Sequence, residues 1–68
     1  MIIAETVNEF LTKRRPDEVC DACIATHLNL RHQQANRVTM ALGTTSDFTR
    51  QTSVCADCRR ELITTRRN

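Results

Sequence analysis

Residues 20–43 have the sequence CDACIATHLNLRHQQANRVTMALG, which begins with a Cys-x-x-Cys pair. A second such pair lies in the sequence CADC at residues 55–58. Two residues between cysteines let both sulfurs face one ion, and two such pairs supply the four thiolates of a tetrahedral zinc site. The sequence therefore predicts one structural zinc ion (Zn2+), which would join two distant parts of the chain. The predicted ligands are Cys20, Cys23, Cys55 and Cys58.

Alternatives to this site remain open at the level of sequence. The cysteines could form disulfides or a redox-active dithiol, although a reducing cytoplasm favours metal binding. Rubredoxins bind iron through two similar pairs, but CDAC and CADC contain no Pro or Gly, and Phe10 and Phe48 are the two aromatic residues of the chain. His27 or His32 could also replace a cysteine as a ligand. A metal assay separates zinc from iron.

The size of the chain explains why a metal would be useful. A domain of 68 residues buries too little apolar surface for a large stability margin, and a metal commonly compensates. The first residues, MIIAETVNEFLTKRR, lack the long apolar region of a signal peptide, and no stretch approaches the roughly 20 apolar residues of a membrane span. We expect residues 1–68 to form a single cytoplasmic domain without membrane contact. Four thiolates would leave no open metal position for catalysis, so we do not expect an enzyme.

The spacing of apolar residues predicts three helices. Residues 2–14 place apolar side chains on one face, and Pro16 ends this helix. The acidic residues from Asp17 onward suit the first turn of a second helix, which would carry the first cysteine pair and end near residue 28. The third helix is predicted over residues 31–42, with Gly43 as its end.

The segment between the cysteine pairs resembles the helix-turn-helix of DNA-binding regulators. In that family an Ile-Ala-x-x-Leu helix is followed by a tight turn, a Leu and then the recognition helix. The matching residues here are Ile24, Ala25, Leu28 and Leu30. Asn29 occupies the turn position usually held by Gly, and Asn tolerates a positive φ better than most residues. The sequence departs from the family at Arg31, where a Ser or Thr cap is usual, and at the small Ala35.

The predicted third helix has a polar outer face. A helical wheel places Ala35, Val38, Thr39 and Leu42 inward, and Gln33, Asn36, Arg37 and Met40 outward. Gln and Asn can pair with adenine and Arg with guanine in the major groove of DNA. Together with this chemistry, the resemblance implies a small transcriptional regulator that binds double-stranded DNA through residues 31–42. The predicted DNA-binding residues are Arg31, His32, Gln33, Gln34, Asn36, Arg37, Arg50, Arg66 and Arg67.

Residues 48–54 and 60–66 are rich in Thr and β-branched side chains and predict two strands, with CADC as the hairpin tip. Residues 17–66 are therefore similar to small prokaryotic zinc-binding winged helix-turn-helix proteins that share two Cys-x-x-Cys pairs and a helix related to HQQAN. The resemblance implies an α+β fold: a three-helix helix-turn-helix core followed by a two-stranded β-hairpin wing, stapled by a four-cysteine zinc site. Its wing arginines would contact the DNA backbone or minor groove.

The charge distribution leaves the partner open. The formal net charge of +2 falls to zero once four thiolates and one Zn2+ are counted, but residues 31–68 are basic and Lys13 is the single Lys among ten basic residues. Arg matches phosphate and guanine edges better than Lys does. The alternative function is a zinc-stabilised protein–protein interaction adaptor that binds no nucleic acid. RNA is less favoured because few aromatic residues exist to stack on bases. The sequence is compatible with a monomer or a homodimer.

Overall fold

The computed structural model describes residues 3–68, beginning with helix α1 at Ile3–Lys13. Val7 and Leu11 lie one turn apart on the inner face of α1 and are fully buried. The first predicted helix is confirmed over these residues, while residue 2 lies outside the described part of the chain. The helix ends before Pro16, whose ring removes the amide donor that another turn would need.

A short strand that sequence reasoning missed precedes the second helix. Strand β1 is Val19–Cys20, and helix α2 spans Asp21–Leu28, so the prediction of a helix starting near Asp17 is wrong. Val19 and Cys20 pair with Thr65 and Thr64 of a later strand, which satisfies main-chain groups that a first helical turn would leave free. The pairing also buries the β-branched side chain of Val19 completely. Cys20 therefore caps α2 in an extended conformation (φ −78°, ψ 161°).

The turn between α2 and the third helix has the predicted left-handed residue. Asn29 adopts φ 55° and ψ 46°, and the next amide, Leu30 N–H, donates to the Ala25 carbonyl over 2.8 Å. Helix α3 then spans His32–Leu42. Gly43 ends α3 as predicted, but with a right-handed φ of −65°. Gly43 leaves room for the close approach of Arg50, because a Cβ at this position would lie 3.0 Å from Cβ of Arg50.

Strands β2 (Phe48–Val54) and β3 (Glu61–Arg67) form an antiparallel hairpin. The structure contradicts the predicted two-stranded sheet, because β1 adds a third strand and the order is β1-β3-β2. CADC forms the hairpin tip, as predicted. The tip does not project as a free wing, since Ala56 N–H donates to the Glu18 carbonyl over 2.7 Å and the Asp57 carboxylate accepts a hydrogen bond from Arg14, just after α1.

The core lies where the three helices cover the sheet. Its buried members are Val7, Leu11, Val19, Cys20, Ile24, Ala25, Ala35, Phe48 and Cys55. Two of these residues are cysteines, so the metal-binding part of the chain is continuous with the hydrophobic core. Within residues 3–68, every helix is too short or too polar to cross a membrane.

Candidate metal centre and the surface of the third helix

The structure brings the four predicted cysteine ligands together. Their four Sγ atoms all lie within 4.8 Å of one another, with 3.8 Å between Cys20 and Cys58 and 3.7 Å between Cys55 and Cys23. Metal–sulfur bonds of about 2.3 Å in a tetrahedron require sulfurs about 3.8 Å apart. The cluster is therefore suited to a single metal ion. His27 and His32 are not members of it.

The main chain around Cys55 favours a thiolate. The amides of Cys20 and Asp57 each donate to Cys55 Sγ over 3.4 Å. Burial opposes ionisation of this thiol, but main-chain donation from Cys58, Cys20 and Asp57 outweighs it and lowers the pKa of Cys55 to about 6. Burial raises the pKa of Cys20 and Cys23 above the ordinary value. The surroundings of Cys55 thus favour the thiolate, which is the form of cysteine that binds a metal.

Asp57, inside the second cysteine pair, ties the hairpin tip to the helices. Its carboxylate accepts two hydrogen bonds from Arg14, the residue that follows α1, at 2.8 and 2.6 Å, and lies 2.7 Å from Nε2 of His27 on α2. The Arg14 guanidinium is the main cause of the low pKa of Asp57, about 2. The His27 ring packs against Phe10, with 5.3 Å between ring centroids. His27 therefore supports the metal centre from outside, through Asp57.

Asp21, inside the first cysteine pair, forms a second polar cluster that sequence reasoning missed. This buried carboxylate accepts hydrogen bonds from Asn36 (2.8 Å), Thr39 (2.7 Å) and Arg50 (3.0 and 3.1 Å). Burial disfavours its charge, but these donors outweigh burial and lower the pKa of Asp21. The cluster joins α2, α3 and β2. The one sequence signal was an acidic residue enclosed by two cysteines.

This cluster changes the role of two residues predicted to bind DNA. The helical wheel predicts that Asn36 points outward, but it is half-buried and its Nδ2 donates to Asp21. Arg50 is predicted to be a wing residue that contacts DNA, but both of its terminal nitrogens donate to Asp21, and Nη1 also donates to Thr39 and Thr65. An uncompensated carboxylate at Asp21 would be costly to bury, so it draws these two side chains inward.

The other predicted DNA-binding residues lie at the surface or in ion pairs. On the exposed side of α3 and at its first turn are Arg31, His32, Gln33, Gln34 and Arg37. Gln34 accepts the Arg31 N–H over 3.0 Å, the hydrogen bond that the third helical residue makes in a capping box. At the other end of the sheet, Arg66 lies 3.6 Å from Glu18 and Arg67 lies 3.9 Å from Asp47.

Residues 22–46, which include most of α2 and all of α3, contain no Asp or Glu. The exposed Arg37 side chain consequently has no carboxylate on its own helix. No family model, curated protein or solved structure matches the chain. Its function must therefore be inferred from its own residues and geometry.

Proposed function

We propose that this protein is a zinc-containing DNA-binding domain of the winged helix-turn-helix type, with α3 as the recognition helix in the major groove. The observation that carries the proposal is the solvent side of α3, where exposed Gln33 and Arg37 lie one turn apart within a carboxylate-free segment, residues 22–46. A carboxylate in that segment would repel DNA phosphates. The left-handed turn at Asn29, which sets α3 against α2, supports the same assignment.

Gln33 and Arg37 supply the chemistry that reads base edges. Residues four apart on a helix project from the same face, so both side chains can enter one groove. Arg donates two hydrogen bonds to guanine, and Gln pairs with adenine. Arg31 lies at the N-terminus of α3, where main-chain amides also favour a phosphate. Asn36 and Arg50 are left out of the contact set because Asp21 holds them.

In this proposal zinc has a structural role. Sulfur separations of 3.7 and 3.8 Å match the edges of a tetrahedral zinc–thiolate site, and four thiolates leave no open position. The ion would fix the hairpin tip to the start of α2. Arg66 and Arg67 remain candidates for phosphate contact, since their ion-pair distances of 3.6 and 3.9 Å are long enough for a phosphate to compete.

The test is a low-salt titration of a fluorescein-labelled pool of random-sequence duplexes, followed by anisotropy. We expect binding that falls steeply with salt, and an affinity about tenfold lower or worse for Gln33→Ala combined with Arg37→Ala. Arg15→Ala is the matched control. Like the double variant it removes one positive charge from an exposed residue, but Arg15 lies outside α3. Zinc content and the circular dichroism spectrum should be equal for all variants.

Two results would contradict the proposal. One is an affinity that the α3 double variant leaves unchanged. The other is equal weakening by Arg15→Ala, which would mean that the protein attracts DNA by net charge alone and that α3 has no special position.

A further inference from the structure

Strand β2 has an open edge. In the order β1-β3-β2 it pairs, among residues 3–68, only with β3, and its register with β3 places Phe48 opposite Arg67 and Val54 opposite Glu61. Beyond each end of this ladder, Cys55 N–H donates to the Arg60 carbonyl and Asn68 N–H donates to the Asp47 carbonyl. Antiparallel pairs alternate between bonded and non-bonded, so odd-numbered residues of β2 bond to β3. The N–H and C=O groups of Phe48, Arg50, Thr52 and Val54 point to the open edge.

Most of the usual protection of an edge strand is missing from β2. Natural edges are commonly blocked by Lys, Pro, a bulge or inward-pointing charge. The β2 sequence FTRQTSV has neither Lys nor Pro, and its register is continuous over all seven residues. Its one charged side chain, Arg50, does point inward, but Asp21 neutralises it at 3.0 Å. The edge is therefore free to accept another strand.

A groove between α3 and the hairpin lies beside this edge. One half, about 420 Å³, lies between the His32–Asn36 side of α3 and the strands, and the other, about 410 Å³, lies under Met40. Thr52 and Ile63 line both halves. Large exposed hydrophobic side chains within residues 3–68 are Met40 (56% exposed), Val54 (51%) and Ile63 (51%). Two of the three line the groove, and Val54 lies on the edge strand itself.

We propose that the groove binds an extended peptide segment of a partner protein, which adds to β2 as a fourth strand. Its main chain would pair with the edge groups of Arg50, Thr52 and Val54, and alternate side chains would enter the groove. The two charged residues of the lining, Asp21 and Arg50, neutralise each other at 3.0 Å. The rest of the lining combines polar residues with the exposed apolar side chains of Met40 and Ile63. The groove thus matches a segment whose inward side chains are uncharged and, beside Met40 and Ile63, apolar.

A peptide fits this place better than a second copy of the chain. Two copies joined antiparallel through β2 would be related by a two-fold axis perpendicular to the sheet. That axis would place both α3 helices on the same side of the joint sheet. Each copy would then bring a helix, rather than an extended segment, to the groove of the other copy. A single extended segment completes the edge without bringing a helix.

The probe is a phage-displayed library of random peptides as long as β2, seven residues, screened against the full zinc-loaded chain. We expect enriched peptides with apolar residues at alternate positions. In the free protein, the amide protons of Arg50, Thr52 and Val54 should exchange quickly and those of Thr49, Gln51 and Ser53 slowly. The synthetic enriched peptide should slow exchange at the first set by about tenfold or more, as expected for main-chain pairing.

Thr52→Pro removes one edge N–H that no strand uses, and Pro is tolerated at such positions. It should weaken peptide binding by about tenfold or more, while Thr52→Ala, which keeps the N–H, binds as the parent does. If Thr52→Pro fails to fold, Val54→Glu and Ile63→Glu replace exposed side chains and should also abolish binding. Arg37→Ala should leave peptide binding unchanged, which separates this proposal from the DNA-binding one.

Several results would overturn the proposal: no enriched peptide, protection confined to other residues, or full binding by the Pro and Glu variants. Protection of the β2 edge without peptide, together with a dimer in sedimentation that Thr52→Pro dissociates, would make the occupant a second copy and would equally overturn it.

Discussion

Replacing Asp21 by Asn should destabilise the domain strongly, although the two side chains have the same shape. Asp21 and Arg50 are 7% and 16% exposed, so the substitution leaves the Arg50 guanidinium largely buried without a counter-ion. Removing one partner of a buried ion pair costs about 3–5 kcal/mol. Because Asn still accepts one hydrogen bond from Thr39, we expect the lower end, about 3 kcal/mol. That is a large part of the roughly 5–15 kcal/mol that holds a typical domain together.

The assay is urea unfolding of the zinc-loaded protein, followed by circular dichroism, for Asp21→Asn, Arg50→Met and the double variant. Thermal unfolding should show Asp21→Asn about 15 °C below the parent, because each kcal/mol corresponds to about 4–8 °C in a domain of this size. The double variant should be more stable than the sum of the single effects predicts, by about 1–3 kcal/mol, because it removes both charges. Equal zinc content must be confirmed, since Asp21 lies between two ligands.

The reasoning would be refuted by a loss below about 0.5 kcal/mol for Asp21→Asn, or by strictly additive effects in the double variant. Either outcome would mean that water or another side chain compensates Arg50. Asp57→Asn provides a comparison, because Asp57 is more exposed (21%) and its partner Arg14 is also more exposed (26%). Its loss should cost less than that of Asp21.

Three further effects should be measurable by unfolding. Chelation of zinc, or Cys55→Ser, should abolish the cooperative transition, because the four sulfurs join β1, α2 and the hairpin; an unchanged melt would contradict a structural metal. Asn29→Gly should be nearly neutral and Asn29→Val should cost about 1–2 kcal/mol, since Asn29 has φ 55°; equal stabilities would exclude strain at this turn. Gly43→Ala should destabilise by about 1 kcal/mol, because its Cβ would lie 3.0 Å from Arg50; a stabilised variant would show that Arg50 moves freely.

The features that could be predicted from sequence are those with a local cause. The Cys-x-x-Cys spacing within each pair is local, and the four ligands that a tetrahedral metal site needs correctly grouped the two pairs. The left-handed turn at Asn29 also follows from the preference of a single residue. Each of these features has few alternative local structures, so a short stretch of sequence is sufficient to predict it. Gly43 ends α3 as predicted, but for a reason the sequence does not show, its packing against Arg50.

The features that were missed depend on partners far away in the chain. Val19 and Cys20 form a strand only because Thr64 and Thr65 are there to pair with them. Asn36 turns inward because Asp21, fifteen residues earlier, offers a buried carboxylate. A helical wheel assigns apolar residues to the inner face and polar residues to the outer face. It therefore gives the wrong side for a polar residue that binds a buried charge. Such partnerships become visible only in three dimensions.

The strand order has a consequence for how the protein is made. The central strand, β3, follows β1 and β2 in the chain, so both outer strands emerge from the ribosome before the strand that pairs with them. α2 and α3 can meet early through local contacts, but all four cysteines are synthesised before β3 exists. During that interval the thiols are unprotected by a finished fold. Nascent chains would therefore be the form of this protein most exposed to oxidation and to capture of the wrong metal.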